Sequence, residues 1–195
     1  RARGGPVTDD AIVLHGLTRD GRVVSGQVAV AGTPDLEEVW VDPTCTAASV
    51  IAIEAIRAAD LVLLGPGSLY TSVLAGAMVG DGRKALADVV VPVAYVANLR
   101  ADATETLGYD HAAHLAALHR HGIHPDVTVV QAGALPIGDV DVRVVEADIA
   151  APNGLVMVLQ AAVSTLDAVF VGWLGSAALA GVSIVFPLVM LMQTM

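Results

Sequence analysis

Positively charged residues are scarce in this sequence, and none occurs in its last quarter. The 195 residues include 10 Lys and Arg against 20 Asp and Glu, and the last basic residue is Arg143. Proteins that bind nucleic acid neutralise phosphates with clustered Lys and Arg. The net charge of −10, without a basic cluster, therefore argues against a nucleic-acid partner.

Cysteine is nearly absent as well. Cys45 is the single cysteine, so no internal disulfide can form, which suits a reducing compartment. Nothing in the local sequence marks Cys45 as an activated nucleophile. The chain opens without Met or a signal peptide, and residues 1–10 are expected to be a linker or a cut edge.

Charge of either sign almost disappears after Asp148, since only Asp167 follows. Two apolar stretches, at about 155–172 and 177–195, are each roughly long enough to cross a bilayer as a helix. The pattern predicts a transmembrane α-helical hairpin at residues 155–195, inserted in a lipid bilayer. The alternative is a pair of buried helices in a large water-soluble protein.

Residues 11–154 instead predict an α/β domain in water. Short β-rich runs alternate with helical patterns, which is typical of a parallel sheet with helices on its faces. The predicted strands are residues 11–16, 22–31, 38–42, 61–64, 93–97, 127–131 and 142–146. The predicted helices are residues 47–58, 69–79, 82–88 and 110–121.

The first candidate site is the turn Gly65-Pro66-Gly67-Ser68, which ends a predicted strand and opens a helix. Ligands of open α/β sheets bind at this end of the strands. Glycines let the backbone approach an anion, and a helix N-terminus offers N–H groups together with the hydroxyls of Ser68, Thr71 and Ser72. The alternative is a tight turn with a helix cap. No Lys follows as in a P-loop, so nucleoside-triphosphate hydrolysis is not indicated.

The second candidate site is the polar loop 98–109, which follows the next predicted strand. Neighbouring parallel strands would bring both loops to one crevice. Asn98 and Arg100 could then bind a sugar or phosphate, and Glu105 could hold a hydroxyl. The alternative is a solvated loop with a capping Thr.

Histidines crowd the predicted helix at 110–121, but no Cys or Glu stands at metal-ligand spacing near them. Neither a metal site nor a catalytic residue is therefore predicted. The histidines are His111, His114, His119, His121 and His124.

Four sequence blocks resemble the gluconeogenesis-factor family, which belongs with the 2-phospho-L-lactate transferases in the CofD-like superfamily. The blocks are ADLVLLGPGSLYTSVL (59–74), PVAYVANL (92–99), ETLGYDHAAHLAALHRHG (105–122) and DVTVVQAG (126–133). The likeness covers about residues 10–154 and corresponds to the carboxyl-terminal half of such proteins. The family's amino-terminal glycine-rich phosphate loop has no counterpart in this sequence. Its Gln-Pro-Gly-Glu-Thr stretch reads Asp-Ala-Thr-Glu-Thr at 102–106.

The resemblance implies a Rossmann-like fold and, in the gluconeogenesis-factor branch, binding of a nucleotide sugar of the UDP-N-acetylglucosamine type. That branch is linked to carbon-source use and cell shape, and the transferase branch moves a phospho-lactyl group onto a deazaflavin with a metal. Carried over by the matching block, the ligand-crevice candidates are Gly65, Pro66, Gly67, Ser68, Tyr70, Thr71 and Asn98.

Residues 164–193 resemble the first helices of multidrug and toxic compound extrusion (MATE) transporters, with Asp167, Gly172, Gly175 and Pro187 in the family's order. The resemblance implies that Asp167 takes part in proton or sodium coupling. The alternative is an Asp that caps a helix at the membrane interface.

Three functions follow as expectations. The first is an incomplete nucleotide-sugar-binding regulatory module, cytoplasmic and attached to the inner membrane by its C-terminal helices. The second is a fragment of a MATE-type cation-coupled antiporter. The third is an enzyme like the 2-phospho-L-lactate transferases.

Overall fold

The computed structural model describes residues 5–149, whose strands form two sheets. An antiparallel sheet has the order β2-β1-β3, and a parallel sheet has the order β4-β5-β6-β7. The strands are β1 Val13–Thr18, β2 Val23–Ser25, β3 Leu36–Asp42, β4 Val62–Leu64, β5 Val93–Val96, β6 Val127–Gln131 and β7 Arg143–Ala147. The helices are α1 Gln27–Ala31, α2 Val50–Arg57, α3 Ala75–Ala77, α4 Gly80–Ala87 and α5 His111–Arg120. A wide, π-type helical segment, Leu69–Leu74, runs directly into α3.

The parallel sheet confirms the predicted α/β class. All four residues of β5 are buried, and so are the first four of β6, as expected for central strands covered on both faces. In the register of β4 and β5, Leu64 lies opposite Tyr95. The loops that follow these two strands therefore start side by side, which is the geometry that a shared crevice requires.

The amino-terminal strands depart from the single parallel sheet that the alternation predicted. They form the separate antiparallel sheet, and the predicted strand at 22–31 ends at Ser25. Gly26, with a φ of +93°, turns the chain, and the following residues form α1. Val30 of α1 is fully buried against β1, so an apolar contact overrides the β propensity of this run.

One apolar core joins the two sheets. It includes Leu36, Val39 and Val41 of β3 together with Leu115 and Leu118 of α5. Burial of side chains of this size stabilises the fold by about 1.5–3 kcal/mol each. The antiparallel sheet is therefore part of the same folding unit as the parallel sheet.

Side-chain caps begin the two helices that were predicted at 47–58 and 110–121. Ser49 Oγ accepts the Ala52 N–H at 3.2 Å, and Asp110 Oδ1 accepts the Ala113 N–H at 2.8 Å. Ser49 also donates from its hydroxyl to the Pro6 carbonyl at 2.7 Å. Part of the expected linker at 1–10 is thus bound to the start of α2.

Within residues 5–149, no helix is both long enough and apolar enough to cross a membrane. The hairpin predicted at 155–172 and 177–195, and Asp167 within it, lie outside the described residues. They remain predictions.

Gly65 provides a test of the contact between β4 and β5. It has a φ of +84°, and a Cβ added to it would lie 2.7 Å from the Val96 carbonyl oxygen. Gly21 has a φ of +83° with open space around it, so Gly21→Ala carries only the backbone cost of about 1–2 kcal/mol. We expect Gly65→Ala to lower the free energy of unfolding by at least about 1 kcal/mol more, because the backbone must also move. Urea unfolding of the full chain measures both variants, and equal losses would contradict this packing.

Candidate ligand-binding crevice

The turn Gly65–Ser68 lies between β4 and the π-type helix. The left-handed backbone of Gly65 turns the chain immediately beside the carbonyl of Val96, in the neighbouring strand. Only glycine fits both the conformation and the space. The turn is therefore held against the end of β5, where the second loop begins.

A side chain of the second loop binds the backbone of the first. Asn98 Oδ1 accepts the Gly67 N–H at 3.1 Å. Because the side-chain oxygen is used in this way, the Nδ2 group of Asn98 remains a donor for a ligand. The predicted meeting of the two loops is present in the structure.

Glu105 makes a second connection between the loops, from the interior. Its Oε1 accepts the Tyr70 N–H at 3.3 Å, and its side chain is only 1% exposed. Burial raises the pKa of the Glu105 carboxyl, while hydrogen bonds from the Thr71 side chain and from the Tyr70 backbone oppose the rise. In this position, the Glu105 side chain accepts a hydrogen bond from a backbone N–H of the π-type helix.

A cleft of about 570 Å³ opens where the parallel strands end. Its walls are Pro66, Ala97, Asn98, Leu99, Arg100, Ala101, Asp102, Ala103 and Ile149. Among the described residues that form these walls, Arg100 is the only one with a cationic side chain, and it is exposed. Asp102 accepts the Thr104 hydroxyl at 2.7 Å, and this bond lowers the pKa of its carboxyl. The cleft thus combines a cationic side chain with amide and carboxylate groups.

The remaining predicted residues divide between surface and interior. Ser72 is exposed and Ser68 is half-buried, and the Ser68 hydroxyl makes no bond that caps the helix. Thr71 is buried. The side-chain cap that belongs to the alternative interpretation of this turn is therefore not formed by Ser68.

Tyr70 is fully buried and links the two sheets. Its hydroxyl donates to the Leu36 carbonyl at 2.8 Å and lies 3.0 Å from the Tyr109 hydroxyl. Arg120 Nη2 donates to the Tyr70 oxygen at 3.3 Å. Burial raises the pKa of Tyr70. The side chain of Tyr70 is therefore engaged in the interior, while its backbone N–H donates to Glu105.

Three of the five clustered histidines are buried and hydrogen-bonded. His121 donates from Nδ1 to the Ala117 carbonyl at 2.7 Å and accepts the Val39 N–H at Nε2, at 2.9 Å. His114 Nδ1 lies 2.8 Å from the Asp110 carbonyl. In the described part of the chain, no group of three His, Cys, Asp or Glu side chains is arranged to hold a metal ion. These bonds give the buried histidines structural roles.

His111 belongs to a polar layer that the sequence did not reveal. Its Nε2 lies 2.8 Å from Thr128 Oγ1, which itself donates to the Tyr95 carbonyl at 3.2 Å. The ring stacks on Tyr95, with centroids 6.1 Å apart. Because the Thr128 proton goes to the carbonyl, His111 donates from Nε2 as a neutral ring. The contacts of Tyr95 with His111 and Thr128 could not be predicted from the sequence, because an aromatic residue in an apolar run indicates only a buried strand.

The family model described as 2-phospho-L-lactate transferase CofD matches residues 2–161. The chain therefore belongs to the CofD family. The match ends before residues 164–193, so the transporter resemblance remains a prediction.

Among curated relatives, the chain is similar to gluconeogenesis factors. It is 36% identical to that of Halalkalibacterium halodurans over 129 residues, which are 64% of this chain and 40% of the relative. With that of Bacillus subtilis strain 168 it shares 34% identity over 117 residues, which are 60% of this chain and 37% of the relative. The matched segment thus spans well under half of the length of either relative.

A crystal structure of a UPF0052 family member from Bacillus halodurans shows the same fold. The TM-score is 0.65 at 28% sequence identity, over 72% of this chain and 53% of that one. This similarity agrees with the Rossmann-like fold that the sequence blocks implied.

Acid sensitivity tests the buried, neutral state of His111. Burial lowers its pKa to about 4, from about 6.5 in an unfolded chain. A lowered folded-state pKa means that stability is complete above pH 6.5 and is lost as the pH falls toward 4. The free energy of unfolding of the parent chain should therefore fall between pH 7 and pH 4.5. In His111→Gln, this fall should be smaller by about 2 kcal/mol.

Urea unfolding at both pH values measures this difference. The exposed His124 is the matched control, and His124→Gln should change the pH dependence less than His111→Gln does. An unchanged pH dependence in His111→Gln would contradict the assignment.

Proposed function

We propose that the crevice binds a nucleotide sugar of the UDP-N-acetylglucosamine type, as part of a regulatory module of the gluconeogenesis-factor kind. The observation that carries the proposal is the hydrogen bond between the Gly65–Ser68 turn and the loop that begins at Asn98, beside a cleft lined by Pro66 and by residues 97–103. Similarity to gluconeogenesis factors supports the regulatory role.

The groups in the cleft suit the parts of such a ligand. The Arg100 guanidinium can form paired, charge-assisted hydrogen bonds to a diphosphate. Asn98 Nδ2 and the Asp102 carboxylate can recognise sugar hydroxyls as donor and acceptor. The volume of about 570 Å³ lies within the range of small-molecule sites, roughly 300–1,000 Å³.

Binding is favoured over catalysis by the residue types that line the cleft. Its walls offer one cation, one amide and one carboxylate among apolar residues. Nucleophilic catalysis calls for an activated Ser, Cys, Thr or Lys beside a base. The family description still makes phospho-lactyl transfer to a deazaflavin the second candidate. Transfer of a phospho-lactyl group onto a deazaflavin in the presence of added Mg²⁺ would favour this second candidate.

Isothermal titration of UDP-N-acetylglucosamine into the full chain tests the proposal. Arg100→Ala should weaken binding by about 10- to 100-fold, the equivalent of losing a charge-assisted hydrogen bond of about 1.5–3 kcal/mol. Arg57→Ala is the matched control, because Arg57 is exposed on α2 and does not line the cleft. Absence of binding at millimolar ligand, or equal weakening by both substitutions, would contradict the proposal.

A further inference from the structure

We infer that Glu105 is a positioning residue, which sets the affinity of the crevice by fixing the first turn of the π-type helix from within. This inference rests on the proposed function, because the affinity concerned is that for the nucleotide sugar. The sequence alone had suggested that Glu105 would hold a hydroxyl of the ligand. Its burial and its bond to the Tyr70 N–H assign a different role.

The hydrogen bond to the Tyr70 N–H restrains the backbone directly after the Gly65–Ser68 turn. Tyr70 is only two residues beyond Ser68, and its N–H is one of the helix-terminal donors that lack a partner within the helix. With this N–H held by Glu105 and the Gly67 N–H held by Asn98, the turn is fixed at two points. A ligand then binds a preorganised turn and does not need to order it.

The loop that carries Glu105 is itself anchored. The Asp102 N–H donates to Thr106 Oγ1 at 2.7 Å, and Thr106 is fully buried. Thr104 Oγ1, whose proton Asp102 accepts, also lies within hydrogen-bond distance of the Ala31 carbonyl, at the end of α1. The carboxylate is thus presented by a supported loop and not by a free side chain.

Reach and charge can be separated at this position. Glu105→Gln keeps an acceptor oxygen at the same reach and removes the charge, whereas Glu105→Asp keeps the charge and withdraws the acceptor by one methylene. If Glu105 positions the turn, reach decides the outcome. If its carboxylate binds the ligand directly, loss of the charge is the damaging change.

Amide hydrogen exchange at Tyr70, measured in the full chain without ligand, tests the positioning directly. Exchange should be at least 10-fold faster in Glu105→Asp than in the parent chain, and within about 3-fold of it in Glu105→Gln, because only the latter preserves the hydrogen bond. Glu54→Asp, at an exposed acid of α2, should leave Tyr70 unchanged. Unchanged exchange in Glu105→Asp would overturn the inference.

Titration with UDP-N-acetylglucosamine then links the position to affinity. We expect at least 10-fold weaker binding for Glu105→Asp, and binding within about 3-fold of the parent chain for Glu105→Gln, because the glutamine keeps an acceptor for the Tyr70 N–H at the same reach. Weaker binding by Glu105→Gln than by Glu105→Asp would overturn the inference in favour of direct contact. Failure of the parent chain to bind would contradict the proposed function, and the exchange data would still decide whether Glu105 fixes the turn.

Discussion

Two hydrogen bonds between loops that are distant in sequence determine the shape of the candidate crevice. Asn98 accepts the Gly67 N–H and Glu105 accepts the Tyr70 N–H, across 31 and 35 residues of sequence. Both depend on the parallel pairing of β4 with β5, which starts the two loops side by side. A slip in this pairing would separate each donor from its acceptor, so the sheet register sets the site geometry.

The interior next to these loops contains several buried polar groups. Tyr95, Glu105, His111 and His114 each have a buried polar atom without a hydrogen-bond partner in the described part of the chain. Such atoms cost about 1–3 kcal/mol each when water does not reach them. Burial lowers the pKa values of both histidines, which are therefore neutral at pH 7. Stability near the crevice thus depends on protonation as well as on apolar packing.

The parallel strands and the meeting of the two loops could be predicted because short apolar runs bounded by glycine have a simple physical meaning. The burial of Glu105 and Tyr70 could not. A carboxylate in a polar loop is expected in water unless its partner is known, and that partner, the Tyr70 N–H, lies 35 residues earlier. Likewise, the β-rich run at 22–31 gives no indication that Val30 packs as part of a helix. Tertiary contacts decided each of these cases.

The most direct measurement is photo-crosslinking of the full chain with a diazirine derivative of UDP-N-acetylglucosamine, followed by peptide mapping. Labels are expected within residues 65–72 and 97–103, and excess unmodified ligand should suppress them. A second cleft, lined by Val90, Pro92, Ile123 and His124 among others, is the natural comparison. If the labels that excess ligand suppresses were confined to that second cleft, with none on the two loops, the ligand would not bind at the crevice.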